Sequence, residues 1–126
     1  MHFLPNIYDS NAKERQGYID LIVKTAKANR KNPFKWFWLS AGDQLDLERS
    51  LNLGFGFPAV IAISPQKKLI STMRMSFSFS NMKEYLGDLL IGKGNLEDLK
   101  VNMKFKKADA WDGKDAPKIE EEYEDL

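Results

Sequence analysis

Five consecutive apolar residues, Ala59-Val60-Ile61-Ala62-Ile63, run without a single polar interruption. A strand with one face in water alternates apolar and polar residues. A strand that does not alternate needs cover on both faces, as in the interior of a sheet flanked by helices. The chain supplies the helices. Tyr18, Leu21, Ile22, Thr25 and Ala26 recur at i, i+3, i+4, i+7 and i+8, and so do Met82, Tyr85, Leu86, Leu89 and Leu90. That spacing draws an apolar stripe down one side of an α-helix. The chain is therefore read as an α/β protein.

The remaining elements fall between these landmarks. Phe3 to Tyr8 is short enough for a strand, although Pro5 removes one backbone donor. Asp9-Ser10-Asn11 then offers three side chains of the helix-capping kind, and Asn32-Pro33 stops the first helix. Phe34 to Leu39 reads as a strand with Phe34, Trp36 and Trp38 on one face and Phe37 and Leu39 on the other. Ala41-Gly42-Asp43 leads into a short helix carrying Leu47 and Leu51. Ser64-Pro65-Gln66-Lys67 is a hairpin turn, returning through a partly polar strand, Lys68 to Met75. The order is a βαβ unit, then a short helix, then a ββα unit around a mixed sheet. That is the minimal thioredoxin-like arrangement, lacking the usual first strand and helix.

Charge divides the chain. Residues 1–92 carry 12 basic and 8 acidic side chains, whereas residues 93–126 carry 7 and 10. Apolar density falls at the same place. Residues 1–94 are thus expected to form a truncated domain, and 95–126 a polar extension with an acidic tail. A net charge of +1 gives no field for nucleic acid or an acidic membrane surface. No uncharged apolar run approaches the ~18 residues of a membrane span. Met1 to Pro5 lacks the basic flank and apolar stretch of a secretory signal. Lys24, Lys27, Arg30, Lys31 and Lys35 form a local basic concentration, read as a solvated helix face near its negative pole.

There is no cysteine, and the single histidine is His2, a position where a residue can be an addition from expression. Disulfides, thiol chemistry, thiolate metal sites and histidine-based triads are excluded within this chain. A hydroxyl nucleophile at Ser10 has no positioned base, so Asp9 and Ser10 are read as caps.

Several segments together resemble one family. Ala41-Gly42 through Leu47, Leu51 and Gly56-Phe57-Pro58-Ala59 resembles the helix, glycine, aromatic, proline passage of thioredoxin domains. Lys35-Trp36-Phe37-Trp38-Leu39, Ser76-Phe77-Ser78 ahead of Tyr85-Leu86, Gly92-Lys93-Gly94 and Trp111-Asp112-Gly113-Lys114-Asp115 add to it. In this order they resemble the C-terminal non-catalytic domain of the short protein disulfide isomerase with two preceding catalytic thioredoxin domains. The resemblance implies a cis peptide bond at Phe57-Pro58, a bond geometry nearly confined to X-Pro. In catalytic members a Cys-x-x-Cys pair stands where this chain reads Tyr8-Asp9-Ser10-Asn11-Ala12. The expected function is therefore binding of substrate or chaperone, assisting oxidative folding in the endoplasmic reticulum lumen, with the isomerase reaction in upstream domains. Expected partners are unfolded or partly folded proteins and endoplasmic reticulum chaperones.

Thioredoxin folds offer backbone groups to extended peptides beside this proline, so Tyr8, Phe55, Phe57 and Pro58 are the candidate peptide-binding residues. The bland alternative for each phenylalanine is the core. Glu120, Glu121, Glu122, Glu124 and Asp125 form an acidic run. Such runs are commonly solvated, but they can also hold calcium loosely, and this is the only cofactor expected. The chain ends Tyr123-Glu124-Asp125-Leu126 in place of the family's retrieval signal. Without the usual first strand, the Phe34–Leu39 edge is expected to be open. It would then be closed by a homodimer, a swap or a replacement element from the tail. Trp111 is expected to fold back onto the domain. A calcium-binding acidic module and a structural oligomerisation domain remain as alternative readings.

Overall fold

The computed structural model describes residues 1–53, 56–100 and 103–117. Within them, strand β1 (His2–Leu4) leads through a 3-10 turn (Ile7–Asp9) to helix α1 (Ala12–Ala28) and strand β2 (Trp38–Ser40). Helix α2 (Leu45–Ser50), strands β3 (Ala59–Ser64) and β4 (Leu69–Thr72), helix α3 (Phe79–Leu90) and strand β5 (Glu97–Asp98) follow. The strands form one mixed sheet in the order β2-β1-β3-β4-β5. β1 and β2 run parallel, and the other neighbouring pairs are antiparallel. This is the thioredoxin-like arrangement of βαβ followed by ββα.

β3 shows why its lack of alternation matters. Ala59 and Ile61 join Phe3, Leu47 and Leu53 in a core under α2, while Val60 faces Met73, Met82, Tyr85 and Leu86 under α3. Each side of the strand thus meets its own apolar layer. Full burial of one such aliphatic side chain contributes about 1.5–3 kcal/mol. Ile22 and Thr25 of α1 and Met82, Tyr85 and Leu86 of α3 are buried at the expected spacing. Leu90, placed on the same stripe by sequence, is exposed in the last turn. Tyr85 Oη donates to the Ser71 carbonyl at 2.9 Å, which joins α3 to β4. Burial raises the Tyr85 pKa, so that hydroxyl stays a donor.

Element boundaries depart from the sequence reading in instructive places. The first strand stops at Leu4, ahead of Pro5, and Ile7–Asp9 turns instead of extending. Neither Asp9 nor Ser10 caps α1. Asn11 does, accepting from the Glu14 N–H at 2.8 Å, while Asn6 caps the 3-10 turn by accepting from the Tyr8 N–H. The β2 ladder begins at Trp38 rather than Phe34. Even so, the predicted division of faces holds. Phe34 and Trp36 pack with the α3 layer, and Leu39 packs with the α2 layer.

His2 is an integral part of the fold. It is buried in β1, stacked on Trp36 at 5.6 Å and edge-on to Phe77 at 6.3 Å. Its Nδ1 lies 3.2 Å from the Phe37 carbonyl. A carbonyl only accepts, so Nδ1 carries the proton and Nε2 is the bare nitrogen. Burial, with help from the nearby N-terminal ammonium, drives the His2 pKa down to about 4, against the smaller upward pull of the Phe37 carbonyl.

Packing continues beyond Gly94. β5 pairs with β4, Met103 joins the α2 core, and Phe105 lies edge-on to Phe37 at 5.9 Å. Trp111 returns to the opposite face and meets Trp38 at 6.4 Å. The buried Arg15 guanidinium sits 5.3 Å from both indole rings. Its Nη2 donates to the Pro5 carbonyl and to Ser40 Oγ. Burial lowers the Arg15 pKa, with Asp43 partly offsetting, yet an arginine remains charged at any ordinary pH. Gly113, at φ +82°, turns the chain so that the Asp115 carboxylate accepts from the Ala12 N–H at the start of α1. The extension therefore wraps around the β2 side of the sheet from one face to the other.

Candidate functional site

The peptide bond between Phe57 and Pro58 is cis. Gly56 precedes it at φ +107°, a conformation that side chains other than glycine rarely adopt. Together they bring the chain sharply into β3. The hairpin register pairs Ile61 with Thr72, and the Met73 N–H donates to the Val60 carbonyl at 2.9 Å. The residues after β4 consequently lie beside the residues before β3. Between them is an open depression of about 270 Å³, lined by Gly56, Phe57, Pro58, Val60 and the stretch Met73 to Phe77.

Its floor is apolar and its rim is mixed. Val60 and Met73 are buried, whereas Phe57 and Met75 are 36% and 39% exposed. Phe57 leans on the fully buried Phe3 at 6.3 Å. Phe77 is held edge-on by Tyr18 at 5.4 Å and faces His2 behind it. Arg74 is exposed on the rim, and the Ser76 carbonyl accepts from the Asn81 side chain. Apolar side chains with one cation suit an extended peptide segment. With no cysteine in the sequence, they offer no group for thiol exchange.

Two of the four peptide-site residues expected from sequence, Phe57 and Pro58, line this depression. Tyr8 is 61% exposed in the 3-10 turn and is not among the lining residues. Phe55 lies outside the described residues, as do Glu120, Glu121, Glu122, Glu124 and Asp125. Among the described residues, no group of three or more acidic or histidine side chains is arranged to hold a metal. No described helix is long and apolar enough to cross a membrane. Lys24, Lys27, Arg30, Lys31 and Lys35 are exposed, and Lys24 Nζ sits 4.3 Å from the centre of the Phe79 ring. Sequence reasoning missed Met73, Arg74 and Met75. The signal was there in the hairpin, because fixing its turn at Ser64–Lys67 places these residues opposite Pro58.

Known proteins similar to this chain agree with the architecture. It is 33% identical over 120 residues to protein disulfide-isomerase like 2-2 of Arabidopsis thaliana, covering 94% of this chain and 27% of that protein. It is 34% identical over 126 residues to the protein disulfide-isomerase A6 homolog of Drosophila melanogaster, covering 98% of this chain and 29% of that protein. It is 33% identical over 115 residues to human protein disulfide-isomerase A6, covering 89% of this chain and 26% of that protein. No family model matches the chain. The chain thus spans little more than a quarter of the curated relatives it matches. It is a thioredoxin-like domain related to the protein disulfide isomerases.

Proposed function

We propose that this chain is a non-catalytic, substrate-binding domain of a protein disulfide isomerase, assisting oxidative folding in the endoplasmic reticulum lumen. In this reading, extended segments of unfolded or partly folded proteins, or of lumenal chaperones, lie against the depression beside Pro58. Backbone pairing holds the segment, and Phe57, Met75 and Phe77 contact its side chains. Thiol exchange belongs to other domains of the parent protein.

One observation carries the reading. An apolar recess with a cationic rim lies beside Pro58 in a chain that contains no cysteine. The test is a backbone NMR titration of the chain with a permanently unfolded, S-carboxymethylated protein. Shift changes concentrated at residues 56–58 and 73–77, and weakened by Met75→Ser, are the expected result. A titration that leaves those residues unmoved overturns the proposal.

A further inference from the structure

A second groove lies away from Pro58 and shares no lining residue with that depression. It runs along α2, holds about 430 Å³, and is lined by Gln44, Asp46, Leu47 and Ser50 on one side and by Lys104 to Lys106 on the other. The second side is the chain's own extension. The Gln44 side chain, 3% exposed, meets the backbone of Lys106 with both ends of its amide. Its Nε2 donates to the Lys106 carbonyl at 2.7 Å, and its Oε1 accepts from the Lys106 N–H at 2.6 Å. That is the pair of bonds one residue of a strand offers its partner across an antiparallel ladder.

Gln44 is fixed for this task. The buried Glu48 carboxylate accepts from the Gln44 N–H at 3.1 Å and from the Gly42 N–H at 3.0 Å, so the turn before α2 is pinned. Three side chains of the segment make contacts. Met103 enters the core beside Leu47, Phe105 stacks edge-on against Phe37, and Lys106 Nζ lies 3.5 Å from Asp46. Backbone bonds joined to side-chain contacts are the logic of extended-peptide recognition.

We infer that the α2 face carrying Gln44, Asp46 and Leu47 is a peptide-binding site at which residues 103–106 are bound in cis, with the groove beside them. It accepts in trans an extended segment of the pattern apolar, any residue, aromatic, basic. Beyond Met103 and the Gln44 bonds, the resident segment is lightly held. Phe105 remains 48% exposed, no strand bonds join residues 103–106 to β2, and the Lys106–Asp46 pair is exposed on both sides, where such pairs contribute little.

The probe is a fluorescently labelled peptide of residues 103–110, acetylated and amidated at its ends. It is titrated by anisotropy into the full chain and into its Phe105→Ser variant, whose resident segment is weakened. At least tenfold tighter binding by the variant is expected. Adding Gln44→Glu abolishes that binding, because a carboxylate cannot donate to the Lys106 carbonyl, and a peptide with serine at both apolar positions does not bind. A folded Phe105→Ser variant that ignores the peptide, or binds it no better than the unaltered chain, overturns the inference. Hydrogen exchange on the unaltered chain tests it without any substitution. The Lys106 amide is expected to exchange at least tenfold faster than the Ile61 amide, whereas equal rates mean that the segment opens only with the whole fold, which also overturns it.

Discussion

Replacing His2 with phenylalanine removes a titrating group from the centre of the sheet while keeping a ring against Trp36 and Phe77. The imidazole has an ordinary pKa of 6.5, and burial brings it down to about 4 in the folded chain. The direction has a clear source in geometry. Nδ1–H is spent on the Phe37 carbonyl, and Nε2 is buried without a partner. Protonation puts a charge and a new donor on Nε2, which has no acceptor among the described residues.

The consequence for stability follows by linkage. Between pH 6.5 and about 4 the unfolded chain binds a proton at His2 that the folded chain refuses, so stability falls as pH falls through that window. Above pH 6.5 the full stability is present. At ~1.4 kcal/mol per pH unit, the loss reaches roughly 2 kcal/mol at pH 5 and about 3 kcal/mol once both forms are protonated. His2→Phe escapes this loss. Urea unfolding of both chains from pH 7.5 to 4 is the assay, and the quantity to follow is the difference between their unfolding free energies. The Met1 ammonium, also lowered by burial to about 5, titrates in both chains, so the difference reads His2 together with its repulsion of that ammonium. The expected difference shifts toward the variant as the solution is acidified. Parallel curves across the window refute the reasoning, because they mean that the imidazole reaches water or finds an acceptor on protonation.

Two further outcomes test other parts of the chain. Trp111→Ala strips one indole from the Arg15 guanidinium and from Trp38; a loss of about 1–3 kcal/mol in chemical denaturation is expected from the cation–π and ring contacts together, and an unchanged midpoint refutes the clasp. Replacing Glu120, Glu121, Glu122, Glu124 and Asp125 with their amides is expected to abolish a weak, roughly millimolar calcium affinity, which calorimetry reads directly as heat present in the parent chain and absent in the variant.

The parts of this fold that were legible in the sequence are those governed by periodicity. The apolar run at 59–63 and the two helical stripes fixed an α/β sheet with helices on its faces, because burial on two sides leaves no other pattern. Phe57-Pro58 was legible as a cis bond only through family resemblance, since local sequence statistics favour trans. The reading failed where tertiary contacts overrule local signals. His2 looked expendable from its place in the chain, yet strand pairing on both sides of β1 buries it. The caps went to Asn11 and Asn6 because Ser10 Oγ instead turns back to donate to the Asn6 carbonyl. β5, Phe105 and the Gln44–Lys106 bonds carry almost no periodic signal. Their partners lie tens of residues away, and a polar composition hides a segment held by its backbone.

The start of α1 shows what a helix N-terminus is used for in this chain. A helix N-terminus stabilises negative charge, and that is how it lowers the pKa of a thiol placed there. In this chain the same property is already spent. Asn11 takes the Glu14 N–H, and the Asp115 carboxylate, delivered by the turn after Trp111, takes the Ala12 N–H. The helix end that elsewhere favours a thiolate here holds down the chain's own extension. The Asp115 carboxylate at the helix end anchors a segment that crosses the β2 side of the sheet and forms one wall of the groove along α2. The depression beside Pro58 shares no lining residue with that groove and is an apolar recess with a cationic rim, the surface on which the proposed binding of an extended chain rests.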